Sequence, residues 1–454
     1  MNTHETMLAS GNAGWMLVSA SLVLLMTPAL ALFYGGMSGR RSALNMMMMS
    51  FGALGVVTIV YILWGWSMSY GTRSLGGIVA DPTQFLGLRD SILDGAGNYL
   101  AGASGYANII DIAFQLTFAV ISTAIISGAL AGRVKFSTWL LFAGMWATLV
   151  YFPLAHMVWG GGLLSHAETG LAARLFGTTD GAATVAPIDF AGGTVVHISA
   201  GTAALVLVLI VGRRFDFLTT PQRPHSLPLV MLGAALLWFG WFGFNGGSAF
   251  AADGLAGLAW LNTTAAAAAA MLGWLGVEKL RDGRPTSLGA ASGVVAGLVT
   301  ITPAAGALTP VTSLALGVIG GILACLGVGL KHRFGYDDSL DVVGVHLVAG
   351  LWGTIGLALF AGGGQTLRLL AVQVIIAVVA MAWTGIITAL IGLALRHTLG
   401  WRIEPEAEFE GIDLHEHRES AYDDAGGEQR LRTARVGSGQ NRRAGQSAGM
   451  RRNR

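Results

Sequence analysis

The sequence predicts an all-α membrane protein with eleven transmembrane helices, because of its composition, its long apolar segments and the placement of its basic residues. Of the 454 residues, 53% are hydrophobic and 11% are charged, whereas soluble domains carry about 25% charged residues. The mean hydropathy is +0.62. With a single cysteine, Cys325, the chain can form neither an intrachain disulfide nor a cysteine metal cluster. We expect no cofactor, no metal and no nucleic-acid partner.

Eleven segments are long and apolar enough to span a membrane, which takes about 20 mostly apolar residues. They cover residues 15–36, 43–70, 107–131, 137–160, 190–212, 227–251, 255–277, 287–306, 310–330, 341–362 and 367–396. Residues 1–403 are therefore predicted to form the membrane domain. Residues 404–454 are predicted to form a cytoplasmic tail that is acidic and then basic, with a disordered distal part that could contact anionic lipid.

The basic residues between these segments predict an orientation with the N-terminus outside and the C-terminus inside. In that orientation four basic residues lie outside, Arg73, Arg89, Arg174 and Arg368. Fourteen lie inside, namely Arg40, Arg41, Arg133, Lys135, Arg213, Arg214, Arg223, Lys279, Arg281, Arg284, Lys331, Arg333, Arg396 and Arg402. An excess of Lys and Arg in cytoplasmic loops is the usual bias.

An internal sequence echo predicts an inverted repeat. Residues 196–201 and 345–350 both read Val-His-x-x-Ala-Gly, and an aspartate, Asp189 or Asp341, stands at each predicted helix start. The two copies lie on the fifth and tenth segments, which run in opposite directions. A repeat of five plus five inverted helices, with an eleventh added, is typical of transporters and would bring His197 and His346 together near the midplane.

These two histidines are the deepest titratable groups of the predicted bundle. Ionised side chains at such depth cost at least about 2.5–3.5 kcal/mol, but a neutral imidazole offers one donor and one acceptor. His197 and His346 could therefore line a path for a small polar solute. The alternative is that they are satisfied by packing and by hydrogen bonds between helices.

Features near the predicted outer end point to a cation. Asp189 opens the fifth segment, where a carboxylate caps free N–H groups, and it lies eight residues, about 12 Å of helix, before His197. Aromatic rings, which attract cations, cluster at Phe114, Phe118, Trp159 and residues 240–248. The three glycines after Trp159 are expected to leave its ring uncovered. For Trp238, Trp241 and Trp260 an interfacial aromatic belt is the simpler interpretation.

At these positions the chain resembles the ammonium transporter (Amt/Rh) family, in its bacterial Amt branch. The strings that carry the resemblance are residues 31–36, 155–162, 189–197, 240–248, 344–346 and 410–413. The resemblance implies ammonium uptake across the cytoplasmic membrane by a protein that is not an enzyme. It also implies a homotrimer, contact with membrane lipid and a PII-type regulatory protein at the cytoplasmic face.

The resemblance further implies a role for each matched residue. Trp159, Phe118 and Ser248 would recruit ammonium outside, and Asp189 would support that site. Phe118 and Phe244 would stack as a gate, and His197 and His346 would line a hydrophobic path for ammonia, with or without net proton transfer.

Two other functions stay open at this point. A membrane redox protein could bind haem between His197 and His346, and an ammonium sensor could use the same fold.

Overall fold

The computed structural model describes residues 3–219 and 223–422, and this part is almost entirely helical. Its apolar helices are α1 (Thr3–Met37), α2 (Arg40–Tyr70), α3 (Asn108–Leu130), α4 (Phe136–Val158), α5 (Gly193–Val211), α6 (Leu227–Gly246), α7 (Gly254–Asp282), α8 (Ser287–Ile301), α9 (Pro310–Phe334), α10 (Val343–Leu359) and α11 (Thr366–Thr398). Nine of them, all except α8 and α10, are long and apolar enough to cross a membrane by length and composition. The prediction of an all-α membrane protein is confirmed in this coarser form. The number of crossings and the orientation stay predictions.

Small residues let the helices approach closely, as in other membrane bundles. A Cβ atom added at Gly321 of α9 would lie 2.1 Å from the carbonyl oxygen of Ala270 in α7, and one at Gly317 would lie 2.5 Å from that of Ala266. The alanine run in α7 therefore serves as the contact face for α9.

Five helices contain a π-helical turn: Tyr61–Gly65, Ala147–Tyr151, Gly193–Ile198, Phe242–Gly246 and Val343–Val348. Such turns are frequent at functional sites, because they redirect side chains that a regular helix would place elsewhere. The last three carry His197, Phe244 and His346.

We call the two ends of the bundle the Trp159 end and the tail end. At the Trp159 end, the loop between α2 and α3 contains a hairpin of Ser74–Leu75 and Val79–Ala80. The loop between α4 and α5 contains a short helix, Leu171–Phe176, and a hairpin of Thr178–Thr179 and Ala182–Ala183.

At the tail end, the described part of the tail binds helix starts through its acidic residues. It forms a helix, Pro405–Glu410, followed by the turn Asp413–His417. Asp413 accepts the backbone N–H groups of Leu44 (3.0 Å) and Asn45 (2.8 Å) in α2, and Glu416 accepts that of Phe136 (2.9 Å) in α4. The expected disorder of the distal tail concerns residues that lie outside the described ones.

Candidate functional site

Asp189 binds the first turn of α5 through both carboxylate oxygens. Oδ1 accepts the N–H groups of Gly192 (2.8 Å) and Gly193 (2.5 Å). Oδ2 accepts the N–H of Thr194 (2.9 Å) and also the Thr194 hydroxyl. Unpaired N–H groups and the helix dipole both favour a negative charge at this position. The carboxylate is thus fixed by the chain itself at the Trp159 end of the bundle.

Asp338, and not Asp341, makes the matching contacts at the start of α10. Its Oδ1 and Oδ2 accept the N–H groups of Val342 (3.1 Å) and Val343 (2.7 Å). Asp338 follows Asp189 by 338 − 189 = 149 residues, the separation that also relates His346 to His197.

The sequence expectation that Asp341 is the counterpart of Asp189 is therefore wrong. Asp341 corresponds to Gly192, 149 residues earlier. Both have positive φ angles, 66° at Asp341 and 120° at Gly192. Instead of capping α10, the carboxylate of Asp341 binds the ammonium group of Lys331.

The glycines of the sequence echo pack reciprocally where α5 and α10 cross. A Cβ atom at Gly201 would lie 2.5 Å from the backbone nitrogen of Leu347, the residue after His346. One at Gly350 would lie 3.1 Å from the Cβ of His197 and 3.5 Å from the backbone nitrogen of Ile198. Each glycine thus lets the backbone next to the other histidine come close, as a two-fold relation between the helices requires.

The histidine rings lie side by side in the core. His197 is fully buried and His346 is 4% exposed, and their Nδ1 atoms are 3.3 Å apart. Because one Nδ1 must donate and the other accept, one ring presents Nε2 as an acceptor and the other presents Nε2–H as a donor. Nε2 of His197 has no hydrogen-bond partner among the described residues.

A small cavity of about 10 Å³ borders both histidines. One water molecule needs at least about 10–15 Å³, so the cavity suits one molecule of that size. Its other walls are apolar or aromatic, formed by Met26, Leu30, Ile121, Ile125, Val196, Leu237, Trp241, Phe244 and Val295.

Trp241 is one of these walls, so the interfacial-belt interpretation is wrong for it. The side chain is 2% exposed, and its ring stacks on that of His197 with centroids 5.5 Å apart. Its indole N–H donates to the Thr302 hydroxyl (2.9 Å), which donates to the carbonyl of Leu298 (2.7 Å). Trp260, by contrast, is 43% exposed, as expected for a belt residue.

An aromatic cluster lies on the Asp189 side of the histidines. Phe118 stacks on Phe244 with centroids 4.2 Å apart and meets Trp159 edge to face at 6.2 Å. The Phe244 ring in turn lies 6.2 Å from that of His197. The rings therefore form a continuous series from Trp159 through Phe118 and Phe244 to His197.

Trp159 and Ser248 are both held by the backbone at the open side of this series. The indole N–H of Trp159 donates to the carbonyl of Asp189 (3.0 Å). The hydroxyl of Ser248 donates to the carbonyl of Phe244 (2.8 Å). Because its hydrogen is used in this way, the Ser248 oxygen keeps its lone pairs for another donor. Both side chains are half-buried.

A buried ionic cluster fixes the linker before α10 at the tail end. The guanidinium of Arg214 binds both Asp337 oxygens at 2.8 Å, and that of Arg133 donates to the Asp337 carbonyl (2.6 Å) and the Ser339 hydroxyl (2.6 Å). Despite burial, the bonds from Arg214 and the charge of Arg133 hold the pKa of Asp337 below its usual value. The neighbouring Asp338 differs, because burial and the nearby Asp341 raise its pKa to about 6.

The predicted site residues thus lie one after another along the bundle. Three residues that support them were not predicted from the sequence: Asp338, Trp241 and Thr302. A spacing comparison could have found Asp338, since it precedes His346 by the eight residues that separate Asp189 from His197. The string 240–248 contains Trp241, but nothing in the sequence shows that its ring, and not that of Trp238, lies against His197.

The sequence model of the Ammonium Transporter Family matches residues 14–422. An ammonium transporter of Mycobacterium tuberculosis is 48% identical over 444 residues, which cover 91% of this chain and 90% of that protein. One of Aquifex aeolicus is 44% identical over 429 residues, covering 92% and 95%.

Among solved structures, one titled Sensor Amt Protein aligns with a TM-score of 0.82 and 29% identity, covering 91% of this chain and 100% of that one. Mep2 of Saccharomyces cerevisiae aligns with a TM-score of 0.76 and 30% identity, covering 89% and 92%. With a family match over most of its length and bacterial relatives at this identity, the chain belongs to the ammonium transporter family.

Proposed function

We propose that this protein takes up ammonium across the cytoplasmic membrane and conducts it as ammonia past His197 and His346. The observation that carries the proposal is the order of groups along the bundle: Trp159 and Ser248, then the Phe118 and Phe244 rings, then the histidine cavity. In this proposal eleven helices cross the membrane as a five-plus-five inverted repeat with an added helix. The N-terminus lies outside the cell and the tail lies inside.

Ammonium recruitment takes place at Trp159, Phe118 and Ser248. Aromatic faces attract a cation by about 0.5–1 kcal/mol when exposed and by about 2 kcal/mol when desolvated. The oxygen of Ser248 accepts one ammonium N–H, because its own hydrogen is bound to Phe244. Asp189 acts indirectly: its oxygens are occupied by the first turn of α5, so it contributes negative potential and holds the turn next to Trp159.

The Phe118 and Phe244 rings act as a gate. Two rings stacked 4.2 Å apart leave no space for a solute between them. At least one ring therefore rotates for passage.

Beyond the gate, the solute travels as neutral ammonia. An intact cation in the apolar cavity would lose its hydration without gaining enough ligands, whereas ammonia can hydrogen-bond to the unpartnered Nε2 of His197. Ammonium can leave a proton behind and regain one inside. Potassium has no proton to release and is excluded.

The assembly proposed here is a homotrimer in the inner membrane, surrounded by lipid. The membrane domain comprises residues 1–403 and the tail residues 404–454. A PII-type regulatory protein is proposed at the tail end, where a cavity of about 380 Å³ lies between Arg214, Lys331 and Asp341. The relatives named above support ammonium as the solute, since they are named ammonium transporters.

A charge-transfer measurement on proteoliposomes tests the proposal. We expect an ammonium gradient to produce uptake that an equal potassium gradient does not produce, and the accompanying current reports whether the proton follows. Equal uptake of both ions, or no ammonium uptake by folded protein, would contradict the proposal.

An ammonium sensor is the second candidate, because one structural neighbour is titled Sensor Amt Protein and is covered over its whole length. A sensor would bind ammonium at the aromatic cluster without measurable flux, so the same experiment separates the two. The haem alternative has less support. A haem macrocycle needs far more space than the cavity of about 10 Å³ that borders the two histidines.

A further inference from the structure

His156 joins the loop after α2 to the end of α4, next to Trp159. Its side chain is 1% exposed. Nδ1 lies 3.1 Å from the carbonyl oxygen of Ser69, and Nε2 lies 2.7 Å from the hydroxyl of Ser74 in the first hairpin. Because a carbonyl can only accept, Nδ1 carries the hydrogen, and Nε2 accepts the Ser74 hydroxyl. Both ring nitrogens are therefore used to bind the α2 side of the molecule.

The turn that follows Trp159 is built on the same histidine. The N–H groups of Gly160 (3.1 Å) and Gly162 (3.0 Å) both donate to the carbonyl oxygen of His156. A Cβ atom at Gly160 would lie 2.2 Å from the Ser69 oxygen and 2.7 Å from Nδ1 of His156. Glycine is required here because the turn packs directly on the bond between His156 and Ser69.

The hairpin contacts this turn at a second point. The carbonyl of Gly77 accepts the N–H of Leu163 (2.8 Å), and a Cβ atom at Gly162 would lie 2.4 Å from the same oxygen. Trp159 therefore has two anchors: its indole N–H binds the Asp189 carbonyl, and its backbone is held by the hairpin through His156 and Gly77.

We propose that Ser74 and His156 are positioning residues for ammonium recruitment. By holding the hairpin against the turn, they fix the Trp159 indole at its edge-to-face distance from Phe118. Neither residue belongs to the aromatic cluster, and neither lines the histidine cavity. The inference rests on the proposed function, since it assigns these residues to the recruitment step.

The test compares Ser74→Ala with wild type in ammonium-driven proteoliposome transport. Loss of one hydrogen bond worth about 0.5–1.5 kcal/mol corresponds to a change of about 2- to 12-fold. We expect the ammonium concentration for half-maximal transport to rise by about that factor, with the maximal rate within about twofold, because a mispositioned Trp159 weakens capture but leaves the pore intact. Ser74→Thr keeps the hydroxyl and should restore the wild-type value.

Ser91→Ala is the matched control. Ser91 belongs to the same loop, but among the described residues its hydroxyl bonds only to the nearby carbonyl of Leu88 (2.7 Å). Provided that the wild-type protein transports ammonium, any of three results would overturn the inference. These are an unchanged half-maximal concentration in Ser74→Ala, an equal rise in Ser91→Ala, and no rescue by Ser74→Thr. Absence of wild-type transport would instead overturn the proposed function, and the inference with it.

Discussion

Asp189 and Asp338 make equivalent pairs of backbone hydrogen bonds at the starts of α5 and α10. In each pair Oδ1 accepts from one residue, Gly193 or Val342, and Oδ2 accepts from the next. The same offset of 149 residues relates the two histidines. The two aspartates therefore fix the starts of the two helices that carry the histidines, one at each end of the bundle.

Asp338 should give the protein a distinct pH dependence. Its pKa in the folded protein is about 6, above the ordinary 3.8, because of burial and the charge of Asp341. As the pH falls from about 6 to 4, the folded protein binds a proton here that the unfolded chain does not yet bind, so this group's titration adds stability. We expect the difference in melting temperature, wild type minus Asp338→Asn, to increase as the pH falls over this range. A flat difference, or the same trend for the exposed Asp216→Asn, would contradict this.

Replacing Asp189 by Ala should abolish ammonium transport. The substitution leaves the N–H groups of Gly192, Gly193 and Thr194 without their acceptor, and loss of an N-terminal cap alone costs about 0.5–2 kcal/mol. It also removes the negative charge near Trp159. Proteoliposome uptake measures the result, and Asp180→Asn, an exposed carboxylate of the same loop, should retain transport. Full activity of Asp189→Ala would remove this residue from the mechanism.

Changing both His197 and His346 to Ala should impair selectivity or rate. The pair supplies one hydrogen-bond donor and one acceptor to a cavity that is otherwise apolar or aromatic, and two alanines would widen the cavity and remove both groups. We expect potassium to begin to compete with ammonium, or ammonium flux to fall, in the same liposome measurement. A double variant with wild-type flux and selectivity would leave the histidines with a packing role only.

Breaking the ionic cluster at Asp337 should strongly destabilise the protein. Asp337 and Arg133 are fully buried, and removing one partner of a buried ion pair costs about 3–5 kcal/mol because the other charge is left uncompensated. We expect Asp337→Asn to lower the melting temperature clearly in detergent. Asp282→Asn is the control, since its pair with Arg281 is about half exposed, at 49% and 50%, and such pairs contribute about 0–1 kcal/mol. Equal effects of the two substitutions would contradict this reasoning.

The sequence predicted the positions of the helices and the proximity of His197 to His346, because both depend on patterns that can be read along the chain. Apolar length determines where α1 to α11 lie, and the echoed Val-His-x-x-Ala-Gly identifies the crossing of α5 and α10. The glycines of the echo are explained by the reciprocal contacts of Gly201 and Gly350. The roles in recruitment and gating came from the family resemblance and stay predictions.

The errors concern properties that depend on local backbone geometry. Asp341, the aspartate at the start of the predicted tenth segment, has a positive φ and binds Lys331, whereas the residue that caps α10 is Asp338, three positions earlier. From the sequence, Trp241 and Trp238 receive the same interpretation, as residues of an interfacial aromatic belt. In the structure Trp241 is buried against His197. It lies next to the π-helical turn Phe242–Gly246, where a regular helical period no longer predicts which side chains face inward.

Thr302 should be required to hold Trp241 against His197. Thr302→Val keeps the volume but removes the only acceptor described for the indole N–H of Trp241, and an unsatisfied buried donor costs about 1–3 kcal/mol. We expect a lower melting temperature and slower ammonium flux. The ring centroids of Trp241 and His197 are 5.5 Å apart in the wild type, and without the hydrogen bond the indole can shift away from the histidine. Thr302→Ser keeps the hydroxyl and should behave nearly as wild type in both measurements. If Thr302→Val behaves as wild type while Thr302→Ser lowers stability and flux, the methyl group and not the hydrogen bond positions Trp241.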